Sequence, residues 1–358
     1  MLPRVMGWVS YVICPETDTR GRYYESGELK MAVDPAQAKV IIDRYQATMH
    51  QPLDVGDERL RSNPPLLAHY TSVEVAEQII KNEEIWLSHP FYMNDLEELR
   101  FGMLLGIQRF PAHVETLNET PQRKKALLDA FAHFVGYMNE QTLVDTYVLC
   151  LSEHAPGDTD GILSMWRNYA NQGHGVALVF NTRPISTPPQ APLWIAKVVY
   201  KSPTERIQML ENGLQQWVSM TQSLNLQDDR LYLAAYAAFY FIKTFALVTK
   251  HKGFAEEAEW RVIYVPDLDQ QKLLVDQFGY HISQRGAEPK LKFKIKPVIP
   301  GAPLPLSLAN VLEFILLGPS HSSPLAQAAF RRMLRGTSIE KFQDRVFAST
   351  IPLRPKFA

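Results

Sequence analysis

The sequence predicts an α+β fold built on a mixed or antiparallel sheet. Three observations carry that expectation. Apolar strand-like runs at 66–70, 146–152, 176–180, 195–200 and 259–265 mix with helical stretches, without the regular β-α-β alternation of a doubly wound sheet. The 358 residues are 46% hydrophobic and 21% charged, an ordinary globular balance, and a chain of this length can bury a core without disulfide or metal staples. The nineteen-residue run LYLAAYAAFYFIKTFALVT at 231–249 is apolar enough to be tested as a membrane span. It reads instead as a buried core helix. Lys243 lies inside it, Asp228, Asp229 and Arg230 stand directly before it, and its tyrosines are scattered rather than belted at the ends.

The elements follow in order. Val5–Ile13 is β-rich and Ala36–Met49 is helix-compatible. Asn63-Pro64-Pro65 breaks the pattern, because a residue before proline is pushed out of the helical region. Residues 1–62 are therefore expected to be an N-terminal extension, and 63–358 the main α+β domain. The run at 66–70 ends in Thr71-Ser72, either of which can cap a helix over Val73–Asn82. Ile85-Trp86-Leu87 reads as a short strand. Asn94-Asp95 starts another helix, with Asp95, Glu97 and Glu98 in the first turn where the helix dipole favours anions. Residues 121–141 form an amphipathic helix, and the proline-rich 183–192 a loop. Helices are expected over 203–224 and 226–250. Glu259–Val265 is a strand stopped by Pro266, and 292–299 alternates as a strand near an edge. Phe314–Leu317, a helix over 323–335 and a strand near 345–349 close the chain.

Composition bounds the function. Lys plus Arg total 37 and Asp plus Glu 38, a net charge of -1, which lacks the basic excess of a phosphate-tracking nucleic-acid binder. Two cysteines, Cys14 and Cys150, suit a reducing cytoplasm. Met1–Ile13 lacks the apolar core and small-residue cleavage site of a signal peptide. The ten histidines show no HExxH spacing, so no metal site is expected from them. Gly102-x-x-x-Gly106 lacks the Lys-Ser/Thr of a phosphate loop, and no Gly-x-Ser-x-Gly elbow occurs. In KLKFKIK (290–296) charged and apolar residues alternate, as in a strand with one solvated face or a modest patch for an acidic partner.

Four clusters stand out as chemistry-bearing: His69-Tyr70-Thr71-Ser72; Asn94-Asp95 with Glu97 and Glu98; Trp166-Arg167-Asn168-Tyr169 with Gly173 and Gly175; and Glu257-Ala258-Glu259-Trp260-Arg261. The order HYTS, IWLS, ND-x-E-E, MWRNYANQGHGVALVF and E-x-EWRVIYV, closing on VLEFILLGP and VFASTIPLR, resembles the bacterial domain-of-unknown-function family 2971 over about 66–354. A more distant resemblance is to the ADP-ribosyltransferase superfamily. There a strand ending in a His-Gly-Thr/Ser pattern leads into a helix and a second strand ending in Ser, and a Glu-x-Glu opens a later strand. Here Tyr70 stands at the usual glycine, and Asn82-Glu83 at the usual turn glycine.

That resemblance implies an ADP-ribosyltransferase-like sheet core with the helices of about 203–250 as an insertion. It implies NAD as substrate, no metal, and transfer of ADP-ribose to an unknown protein or nucleic-acid acceptor. Glu259 would hydrogen-bond the ribose and stabilise the oxocarbenium-like charge, and Glu257 would orient or deprotonate the acceptor. His69 would hold the adenosine ribose, with Thr71 on the same ribose or the nicotinamide. Ser88 would line the cleft, and Tyr70, Tyr92 or Trp86 would stack on the nicotinamide ring. Arg167 would hold the pyrophosphate or pair with Asp95 or Glu97. Asn94, Asp95, Trp166 and Tyr169 are further candidates, with core packing the competing reading for both aromatics. The family's setting implies a cytoplasmic toxin or anti-phage effector, with an antitoxin or defence partner and no membrane. Two other classes are open: a metal-dependent nuclease or nucleotide-hydrolysing effector using Asp95, Glu97, Glu98 and Glu257 around Mg2+, and a non-enzymatic sensor whose motifs only hold the fold.

Overall fold

The computed structural model describes residues 34–93, 96–137, 146–186, 192–264, 269, 271–284, 286–297 and 306–353. The expected strand at Val5–Ile13 lies outside them, as do Asn94 and Asp95.

The architecture is α+β with a mostly antiparallel open sheet. Its helices are α1 (Pro35–Met49), α2 (Asp57–Ser62), α3 (Val73–Asn82), α4 (Leu96–Glu115), α5 (Pro121–Tyr137), α6 (Leu163–Asn168), α7 (Arg183–Ser186), α8 (Pro203–Leu224), α9 (Leu231–Val248), α10 (Leu308–Val311) and α11 (Pro324–Met333). The strands are β1 (Leu66–Thr71), β2 (Glu84–Ser88), β3 (Tyr147–His154), β4 (Val176–Asn181), β5 (Leu193–Lys197), β6 (Val199–Lys201), β7 (Thr249–His251), β8 (Glu259–Tyr264), β9 (Phe278–Ser283), β10 (Gly286–Lys294), β11 (Leu312–Leu317) and β12 (Val346–Ala348). The main sheet runs β12-β11-β4-β1-β3-β2-β10-β9, with β8 on β3 and β5 on β8, while β6 and β7 form a separate parallel pair.

Strand β3 is the branch point. One edge pairs with β8 from Tyr147↔Tyr264 to Ser152↔Glu259. The other edge is shared. Strand β1 takes its far half (Leu66↔His154 to Ala68↔Ser152), and β2 touches its start (Ser88↔Val148). The sheet therefore forks at Cys150, between two strands that both leave the β3 ladder.

Helices α1, α4, α5, α8 and α9 form one apolar layer on the face that carries Val148, Ala196 and Ile263. Every residue of α9 is buried in it, as the apolar run predicts. Gly102 and Gly106 of α4 make the close approach: an added Cβ would lie 2.7 Å from Ala246 and 2.3 Å from Ile242 of α9. The glycine pair that is not a phosphate loop is thus a helix-contact seam. The opposite face packs Leu67, Leu149, Leu151 and Trp260 against α3 and α11.

One expectation is corrected. Residues 34–62 are not an appendage. Ile42, Tyr45 and Met49 of α1 are in the helical core, and the Tyr45 hydroxyl lies 2.9 Å from the Thr221 hydroxyl of α8. Helices α8 and α9, expected as an insertion, share one apolar layer with α1, α4 and α5. The turn after α3 is left-handed without glycine, Glu83 having φ 49 and ψ 44. Relief of that strain gives the expected result for Glu83→Gly, a gain of about 0.5–1 kcal/mol in a denaturation series.

Candidate active site

Three consecutive pieces build the site: β7, a 3-10 turn over Lys252–Glu257, and β8. Ala258 between them is left-handed (φ 43, ψ 46), which lets Glu257 end the turn and Glu259 open the strand. Both carboxylates then reach one ammonium. Lys250 Nζ donates to Glu257 Oε2 at 2.5 Å and to Glu259 Oε2 at 3.3 Å. Arg261 closes the other side of Glu259 through Nε (2.8 Å) and a second nitrogen (3.3 Å), and a further Arg261 nitrogen donates to the Leu247 carbonyl at 2.7 Å. The cluster holds two anions and two cations, all buried. Tyr200 Oη accepts from the Glu259 amide at 2.8 Å, and Ser152 Oγ donates to the Glu257 carbonyl at 2.6 Å.

Burial alone would push the Glu259 carboxyl up. The charges of Arg261 and Lys250, with hydrogen bonds from Arg261 and Cys150, outweigh it and hold the group down at about 2. Glu259 is therefore ionised throughout the physiological range. Glu257 lies nearer the surface. The Tyr169 hydroxyl donates to its Oε1 at 2.9 Å, and the Phe254 ring lies under the Lys250 ammonium at 4.7 Å. Tyr169 is 37% exposed and Phe254 43%, so two aromatic rings roof the ion cluster and meet solvent.

Residues 165–262 match the family model described as Protein of unknown function (DUF2971). No curated protein and no solved structure matches the chain. The matched span contains Trp166, Arg167 and Tyr169 as well as Lys250, Glu257, Glu259 and Arg261, so it includes the whole ion cluster and its Tyr169 roof. The likeness expected over 66–354 is shown over this shorter stretch.

The other candidates divide by face. Strand alternation places Ala68 and Tyr70 on the side of Ser152 and Glu259, and His69 and Thr71 on the opposite side. The half-buried His69 turns into the fork. Burial lowers its imidazole to about 4, opposed by a hydrogen bond to the Cys150 backbone that favours the protonated ring. Cys150 joins the two groups, since Glu259 takes a hydrogen bond from its side chain. His69 and Glu259 do converge on one residue, but from opposite faces. This corrects the expectation that both line one cleft.

Tyr70 is buried, stacks edge-on against Trp166 at 4.8 Å, and accepts from the Ile162 amide at 3.0 Å, so its ring is not open to a nicotinamide. Thr71 is buried. Trp166 is wholly buried and donates to the Asp160 carbonyl at 2.8 Å, a core residue. Arg167 is exposed rather than buried. Ser88 takes a 2.9 Å hydrogen bond from Lys290 and opposes Val148, two residues from Cys150. Tyr92 stands edge-on to His89, at 5.9 Å. Glu97 and Glu98 lie on α4, and Asn94 and Asp95 fall outside the described residues.

The sequence reading missed Lys250 and Phe254. Lys250 directly follows the apolar run and looks like the solvated end of a helix. The signal available was the first cation after the apolar run, seven and nine residues before two carboxylates that enter a buried strand.

A pH prediction arises here. Burial lowers His69 and His89 to about 4 and His50 to about 3, from 6.5. The folded state thus binds fewer protons than the unfolded one. Their contribution to stability is complete above pH 6.5 and is lost as pH falls toward 4. Glu259 adds a further loss below 4.5, toward 2. Urea midpoints should be level above pH 7 and decline from about 6.5. A midpoint level down to pH 5 would contradict these assignments.

Proposed function

We propose that the chain is an ADP-ribosyltransferase-like enzyme that uses NAD at the Glu257 end of the ion cluster and acts as a cytoplasmic effector or toxin on a macromolecular acceptor. The observation that carries the reading is Glu257 itself. It is a carboxylate with one oxygen on a solvent-exposed phenol and the other on a buried ammonium, which in turn lies over the exposed Phe254 ring.

The chemistry follows from that placement. The bond between ribose C1′ and the nicotinamide nitrogen breaks, and the ring leaves with the bonding pair. Positive charge grows on the ribose, where a fixed carboxylate stabilises it. The acceptor's oxygen or nitrogen then bonds to C1′ and gives its proton to Glu257. Tyr169 or Phe254 stacks the nicotinamide in place of Tyr70, and exposed Arg167, two residues from Tyr169, takes the pyrophosphate. Glu259 is enclosed by Lys250 and Arg261 and acts as a positioning residue: it holds the ammonium that orients Glu257. The anti-phage setting rests on the family resemblance.

The test is to incubate the protein with adenine-labelled NAD and protein, RNA and DNA acceptors. The reading expects label on one class of acceptor and nicotinamide in solution, and neither product would sink it.

A second reading is favoured by the closure of the ion cluster, in which two buried cations meet two buried anions. In that case the cluster only ties β7 to β8 in a non-enzymatic module. It expects cluster variants to lose stability while NAD is left unchanged by every form of the protein.

A further inference from the structure

On the sheet face opposite the ion cluster lies a half-open apolar pocket of about 120 Å³. Strands β1, β2, β3, β4, β5, β8 and β10 all contribute to its wall, so the sheet curls around it. Leu67, Leu87, Leu149, Leu151, Ile195 and Val262 supply much of that wall. Among the described lining residues the one polar side chain is Thr182, and its hydroxyl already donates to the Pro65 carbonyl at 2.7 Å. A water placed there would lack the two to four polar partners that hold buried water. Dry cavities of about 150 Å³ lined by Leu, Ile and Phe take up benzene, so the space is close to that of one six-membered ring.

We propose that this cavity is a binding site for a single small apolar ring. The proposal is independent of the NAD reading, since it uses the other face of the sheet.

The wall chemistry sets the selectivity. Benzene satisfies every contact, while its isostere pyridine would bury a nitrogen acceptor with no donor to meet it. Thermal melts of the full chain should show a rise of about 2 °C or more with saturating benzene, and none with pyridine at the same concentration. Leu151→Phe, which fills the space, should abolish the benzene response. Methyl NMR of the unmodified protein gives a reading that does not depend on that variant folding. Benzene should move the Leu67, Leu149 and Leu151 methyl signals selectively. The proposal is overturned by an absent benzene response, by pyridine matching benzene, or by methyl shifts confined to other residues.

Discussion

Lys250→Met is expected to cost about 3–5 kcal/mol of folding stability, the range seen when one partner of a buried ion pair is removed. The side chain of Lys250 is 1% accessible and serves two carboxylates at once. Without it, Arg261 still pairs with Glu259 but Glu257 loses its cation, and a net buried negative charge remains. The neighbouring pairs help to set the scale. Exposed pairs such as Lys125–Asp129 on α5 contribute about 0.3–0.5 kcal/mol, because water already solvates both ends. The double variant Lys250→Met, Glu259→Gln should recover part of the loss by removing one of the stranded anions. Urea titration of the three proteins measures this. A loss below about 1 kcal/mol for Lys250→Met would show that the cluster is solvated and not the closed network described.

With the proposed NAD chemistry at Glu257, Glu257→Gln is expected to lower nicotinamide release by about 100-fold or more, the scale of a lost positioned general base. The amide keeps a similar shape and can still accept from Tyr169, but it carries no charge and takes up no proton. Tyr169→Phe removes the hydroxyl and leaves the ring. It should lower turnover more mildly, by about tenfold, if the phenol orients Glu257. Glu259→Gln acts through Lys250 and Arg261, so its activity loss should come with a clear drop in melting temperature. Both changes remove a partner of buried Lys250, so nicotinamide release is compared per folded molecule: Glu257→Gln should lose the larger share of turnover and Glu259→Gln the larger share of stability.

Much of this fold is legible in the sequence because buried strands announce themselves as apolar runs. The runs at 66–70, 146–152, 176–180 and 259–265 each became a strand within one or two residues at most boundaries. The failures have physical causes. Strand β9 was not anticipated: FGYHIS lies at a sheet edge with Tyr280 and Ile282 exposed, so it carries no alternation to read. Strand β10 begins at Gly286 rather than Lys292, and its neighbour β2 pairs only from Lys290 onward. Pro289 therefore needs no amide on that side, and it sits within the strand instead of ending it. The run at 195–200 is two strands, because Val198 bonds the Glu259 carbonyl and the chain then leaves for β7. Asn63-Pro64-Pro65 marks a turn and not a domain boundary, since α1 finds its apolar partners on α8 and α9, more than 150 residues later.

The site was half legible. Two carboxylates at the head of an apolar strand are unusual enough to notice, and they did prove to be buried and paired. What decides their chemistry is long-range: which cation lies between them, which ring covers them, and which face each strand turns inward. His69 shows the limit. Its place at a strand end is readable, but its face depends on the register of β1 against β3, which local sequence does not encode.

The most direct test of the carboxylate site is nicotinamide release from NAD by the purified full-length chain and by Glu257→Gln, at matched fractions of folded protein. The account predicts measurable release by the unmodified protein and a loss of about 100-fold or more per folded molecule of the variant, beyond the drop in melting temperature that losing a partner of buried Lys250 brings. Equal release by both, or release by neither, would contradict it.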